Sequence, residues 1–82
     1  MTRYRLVTRT TTDAGTEEHV SSVIQTLSEI LQGMEVEEQL AEATGWTTAW
    51  HGHALPYELV CLKDGIMRTL TYRGSTPFDD TL

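Results

Sequence analysis

The residue types with most chemical potential in this 82-residue chain are three histidines and one cysteine. His51 and His53 stand two apart. In a strand that spacing puts both imidazoles on one face, within reach of a single metal ion, and His19, Cys61 or Glu58 would complete the site. There is no C-x-x-C, no H-E-x-x-H and no second ligand pair at characteristic spacing. Two histidines flanking Gly52 therefore read as surface residues, and no metal or other cofactor is expected. Cys61 with a histidine supplies two of the three parts of a nucleophilic site. It lies inside an apolar run, however, where a cysteine acts as a small core hydrophobe. Neither a Gly-rich phosphate loop nor a nucleophile elbow is present, and the expectation is a protein that is not an enzyme.

That leaves surfaces. The net charge is −6, and eight acids (Asp13, Glu17, Glu18, Glu29, Glu35, Glu37, Glu38 and Glu42) fall between residues 13 and 43 without one Lys or Arg. The six bases, Arg3, Arg5, Arg9, Lys63, Arg68 and Arg73, all lie in segments of strand character. Acids on a helix normally have i, i+4 Lys partners, and without them a face repels itself and attracts a basic surface. Glu35, Glu37, Glu38 and Glu42 are the candidate contact with a basic partner protein. Trp46, Trp50, Tyr57, Tyr72 and Met67 are residue types that anchor interfaces, and equally ones that fill the core of a small domain.

Among the elements that must position these groups, residues 3–12 alternate as a strand and the segment 13–15 is a turn. From residue 16 to 33 apolar residues recur at helical spacing: Val20, Val23, Ile24, Leu27, Ile30 and Leu31, with Met34 beyond. Thr16 suits the N-cap, Glu17 and Glu18 the first turn, and Gly33 the C′ position. Val36, Leu40 and Ala43 form a second helical set on the opposite side. A break at Gly33 brings both sets onto one core, so two helices are expected, over 17–32 and 35–44. One uninterrupted helix would instead leave Val36 and Leu40 pointing at another protein chain. Gly45 ends the helical region either way.

Residues 46–53 read as a strand with Trp46, Thr48 and Trp50 on one face. Two clearer strands, 57–63 and 66–73, are joined by Asp64 and Gly65, a strong hairpin signal. The loop length pairs Lys63 with Ile66, Cys61 with Arg68, Leu59 with Leu70 and Tyr57 with Tyr72; Leu62 meets Met67 and Val60 meets Thr69 on the other face. Helices cover only one side of such a sheet. A strip of Val60, Leu62 and Met67, with Val7, is then left for a dimer or another partner.

The segment Glu38, Gln39, Leu40, Ala41, Glu42, Ala43, Thr44, Gly45, Trp46 resembles the first helix and turn of helix-turn-helix DNA-binding domains, with Ala41 and Gly45 at the small-residue spacing. The resemblance implies a nucleic-acid-binding regulator that uses residues 38–53, with 47–55 as recognition helix. That stretch departs from the pattern: it contains Gly52, lacks Lys and Arg, and has His51 where an apolar residue is expected. Arg3, Arg5, Arg9 and Arg73 offer a second route to nucleic acid, or simply keep an exposed edge soluble.

The length suits one small α+β domain over 1–74, a β-α-α-β-β-β two-layer sandwich with helices on one face of an antiparallel sheet, and a flexible acidic tail over 75–82. No stretch has the make-up of a signal peptide or membrane span, and a lone thiol suits a reducing compartment, so a cytoplasmic protein is expected. Its expected role is a homodimer, or an inhibitor or adaptor of a larger, host protein, of the kind phages and mobile elements encode.

Overall fold

The computed structural model describes residues 2–52 and 56–75. Five antiparallel strands and one helix follow the order β1 (Arg3–Thr12), β2 (Gly15–Val20), α1 (Leu27–Ala43), β3 (Thr47–Gly52), β4 (Pro56–Lys63) and β5 (Ile66–Ser75). The sheet order is β2-β1-β5-β4-β3, so β2 and β3 are its two edges. It is an α+β fold with a single helix on one sheet face, and its order is β-β-α-β-β-β. Ser75, assigned from sequence to the tail, is the last residue of β5, and residues 76–82 lie outside the described residues.

The expected helix over 17–32 is corrected in its first half. Residues 15–20 are β2, which folds back on β1 through Asp13 and Ala14 with Thr12 opposite Gly15. Gly15 takes φ +126°, which only glycine adopts easily. After β2 the chain stays beside β1: Tyr4 and Gln25 exchange both backbone hydrogen bonds, at 2.8 and 2.9 Å. The segment 16–19 holds no apolar side chain to bury as a helix, whereas pairing with β1 satisfies its backbone.

The helix begins at Leu27. Thr26 is its N-cap: the Glu29 N–H donates to Thr26 Oγ1 at 3.2 Å, and the Thr26 N–H donates to Glu29 Oε1 at 3.0 Å. This reciprocal capping box closes the first turn. The helix then runs through Gly33 to Ala43 without a break, so the C′ role given to Gly33 is also corrected. Gly45 holds that position with φ +92°. Its N–H donates to Glu42 O and the Trp46 N–H to Ala41 O, the two bonds of a Schellman end. The helix has no base in its last turn, but Lys63 reaches over from β4 and its Nζ donates to Thr44 O at 2.6 Å. A cation is thereby placed at the negative end of the helix dipole.

The β4–β5 hairpin follows the register expected from its loop, from Lys63 opposite Ile66 to Leu59 opposite Leu70. Asp64 and Gly65 take φ +51° and +78°, as a tight primed turn requires. At the far end Tyr57 and Tyr72 meet through their rings, 5.0 Å apart, and Thr71 Oγ1 donates to the Tyr57 carbonyl. The core lies between α1 and one sheet face: Ile30, Met34 and Ala41 from the helix against Leu59, Cys61 and Leu70, with Tyr4, Leu6, Leu31, Trp46, Trp50 and Tyr72 around them.

Candidate functional site

Only one side of α1 can face that core. Ile30, Met34 and Ala41 are buried, so Val36 and Leu40, four residues apart, lie on the far side of the helix. They are 54% and 56% exposed. Burying a leucine and a valine is worth roughly 1.5–3 kcal/mol each, a gain that their outward placement leaves unused in an isolated chain. Glu37 flanks the stripe on one side, and Gln39 and then Glu35 on the other, with Glu42 toward the C-terminal end. Among the described residues Glu35, Glu37 and Glu42 make no ion pair.

Glu38 differs from the other three. It sits inward, half-buried, and Trp50 Nε1 donates to its Oε2 at 2.6 Å, tying the helix to β3. Trp50 and Trp46 both pack against the core, and the Arg68 guanidinium lies 4.6 Å from the Trp46 ring centre. The structure thus gives both tryptophans and Glu38 a packing role. Glu29 is held by its cap: the backbone N–H of Thr26, then its hydroxyl, keep the Glu29 carboxyl below the usual range.

The sheet face away from α1 carries the strip expected from the hairpin register. Leu62 and Met67, opposite each other on β4 and β5, are 49% and 38% exposed, and Val60 beside them is half-buried. Val7 is a correction, since it is fully buried in register between Val20 and Thr71 on an interior strand. The same face carries Arg5, Arg9 and Arg73. Arg9 Nη2 donates to Glu18 Oε2 at 2.5 Å and Arg73 lies 3.5 Å from the other carboxylate oxygen. The hydrogen bond from Arg9 does most to hold the Glu18 carboxyl below its ordinary value. Arg5 Nη1 donates to the carbonyls of Ser21 and Ser22.

The chemical groups singled out first are dispersed. His19 is on edge strand β2 and His51 on the opposite edge strand β3. Alternation puts His51 on the open face, because Trp50 next to it faces the helix, as does Cys61. His53 lies outside the described residues. Among the described residues, no three His, Cys, Asp or Glu side chains converge as a metal site. Cys61 is buried, and burial pushes its thiol pKa up, with Glu38 and Glu37 adding to the rise and Arg68 opposing it. Thr47–Gly52 is a strand, so the segment resembling a helix-turn-helix has no second helix after its turn. No helix among the described residues is long and apolar enough to cross a membrane.

From sequence Leu31 belongs to the apolar helical stripe and Gln39 to the helix-turn-helix-like segment; neither they nor the edge of β3 stand out as a site. Leu31, Glu35, Glu38 and Gln39 of α1 face Trp50 and Pro56 across a notch of about 280 Å³. The i, i+4, i+7, i+8 spacing of the helix residues was visible in the sequence, but not which strand they would meet. The chain matches no protein-family model, no curated protein and no solved structure.

Proposed function

We propose that the chain is a non-enzymatic interaction module whose helix α1 docks, through its outer face, on a basic surface of a larger protein and acts as its inhibitor or adaptor. The observation that carries this reading is the Val36 and Leu40 stripe, more than half exposed on a helix whose only charged residues are acids. The apolar pair supplies contact area, and Glu35, Glu37 and Glu42 steer and orient a cationic partner. Glu38 is left out of this contact because it sits inward, half-buried against Trp50.

The test is capture and identification of the partner with three variants. Val36→Ser with Leu40→Ser, and Glu35, Glu37 and Glu42 reversed to Lys, should each lose the partner while circular dichroism shows an intact fold. Met67→Ser should retain it. Capture that survives both helix variants overturns the reading.

A second reading is favoured by one observation: Leu62 and Met67 stand side by side, exposed, on the open sheet face. That arrangement suits a homodimer across the sheet, independent of the helix contact. Nucleic acid has less support. Arg9 and Arg73 share Glu18, and Arg5 is turned onto two backbone carbonyls.

A further inference from the structure

The two edges of the sheet are protected unequally. β2 carries Glu17 and Glu18, and charges on an edge strand deter another strand from pairing with it. β3, Thr47–Gly52, carries neither a Lys, Asp or Glu nor a proline, and its register to β4 is regular up to the shift at His51 and Gly52. Every second N–H and C=O of β3 therefore points away from β4, with no strand of the described residues beside it.

The notch described above lies between α1 and Trp50 of this strand, with Pro56 of β4 at its end. Its lining is apolar at Leu31, Pro56 and Trp50 and polar at Glu35, Glu38 and Gln39, with Glu38 the inner of the two acids. Glu35 has no ion pair among the described residues, and Glu38 gives only Oε2 to the indole N–H. A strand added to β3 runs about 4.8 Å outside it, with alternate side chains turned toward the helix. Those side chains run toward a lining that is part apolar and part acidic, which fits the long stem and cationic head of Lys or Arg.

We propose that β3 accepts an extended basic segment of a partner protein as a sixth strand, its Lys or Arg side chains seated against Glu35 and Glu38. This goes beyond the docking of the outer helix face, since it uses the side of α1 toward β3, with Glu35 at the border of the two contacts, and a backbone edge. Charge decides the occupant. A second copy pairing β3 to β3 about a two-fold axis sets the acid-lined sides of two α1 helices against each other, with no base on either. A basic segment removes that repulsion.

The probe is a fluorescent, acetylated eight-residue peptide of alternating lysine and valine. Fluorescence anisotropy should show saturable binding that weakens with salt. A peptide of the same composition in two blocks, four lysines then four valines, should bind at least tenfold less tightly. Two further peptides carry N-methyl groups on either the lysines or the valines. The one that blocks the edge facing β3 should lose at least tenfold in affinity, and the other should retain it. Glu35→Lys and Gln39→Lys, both at exposed positions, should each weaken binding about tenfold, and amide exchange of residues 47–51 should slow on binding. The proposal is overturned by any of four results: no binding of the alternating peptide, equal binding of the block peptide, indifference to both N-methylations, or slowed exchange confined to β2 or α1. Protection of β3 without peptide, together with a dimer mass by light scattering, overturns it in favour of self-pairing.

Discussion

Replacing Gly33 by alanine reads out the feature on which the outer helix face depends, the continuity of α1. Gly33 lies in mid-helix, its φ is not positive, and a Cβ built there meets nothing within 4 Å. Alanine exceeds glycine in helix propensity by about 1 kcal/mol, and here no clash subtracts from that gain. Gly33→Ala should therefore stabilise the protein by about 0.5–1 kcal/mol. In a domain of this size that raises Tm by about 2–8 °C. Were Gly33 instead the left-handed C′ residue between two helices, alanine would be strained and the change would be destabilising by about 1 kcal/mol. The two architectures differ in sign, which makes the assay decisive. Thermal melts by circular dichroism at low protein concentration, with urea titrations to check that the m value is unchanged, measure it. Gly45→Ala is the control, since φ +92° and the Schellman bonds predict a loss of about 1 kcal/mol or more. A fall in Tm for Gly33→Ala beside an indifferent Gly45→Ala refutes the continuous helix. The outward placement of Val36 and Leu40 then fails with it.

Three further outcomes are expected. Thr26→Ala should reduce stability by about 1 kcal/mol in urea titrations, because it removes the acceptor for the Glu29 N–H. The Glu29 carboxyl is lowered in the folded state, so its contribution is present above the unfolded value and lost as pH falls through the folded one; the stability gap between the parent and Glu29→Gln should narrow on acidification from about pH 6 to below about pH 4. Cys61, buried with a raised thiol pKa, should resist thiol reagents in the native protein and react on unfolding, and native labelling as fast as that of a free thiol contradicts its packing. Met67→Glu should convert a dimer to a folded monomer in light scattering if two copies meet across the sheet; a parent protein that is monomeric at all concentrations removes that reading.

Much of the strand half was legible because its determinants are local. Asp64 and Gly65 specify a primed turn by themselves, and the turn fixes which residues of β4 and β5 stand opposite. Gly45 marks the helix end through the left-handed conformation only glycine adopts readily. The capping box of Thr26 and Glu29 was also written in the sequence and marks where α1 starts. It was overridden by an accident of phase: Val20, Val23 and Ile24 fall in line with the core residues Ile30 and Met34 although they precede the helix. Periodicity counts apolar positions and carries no information on whether a surface exists for them to pack on.

The separation of acids from bases, the paired strip of Leu62 and Met67 and the end of the helix belong to the sequence alone, because each depends on residue type and short spacing. The tertiary structure decided that residues 15–20 pair with β1 as a strand: Thr16, Glu17, Glu18 and His19 would give a helix no apolar side to bury, and β1 would keep an unpaired edge. It also decided that α1 runs straight through Gly33 and that Ile30, Met34 and Ala41 face the sheet. A single sheet face can bury only one side of a straight helix, and for that reason Val36 and Leu40 are turned outward.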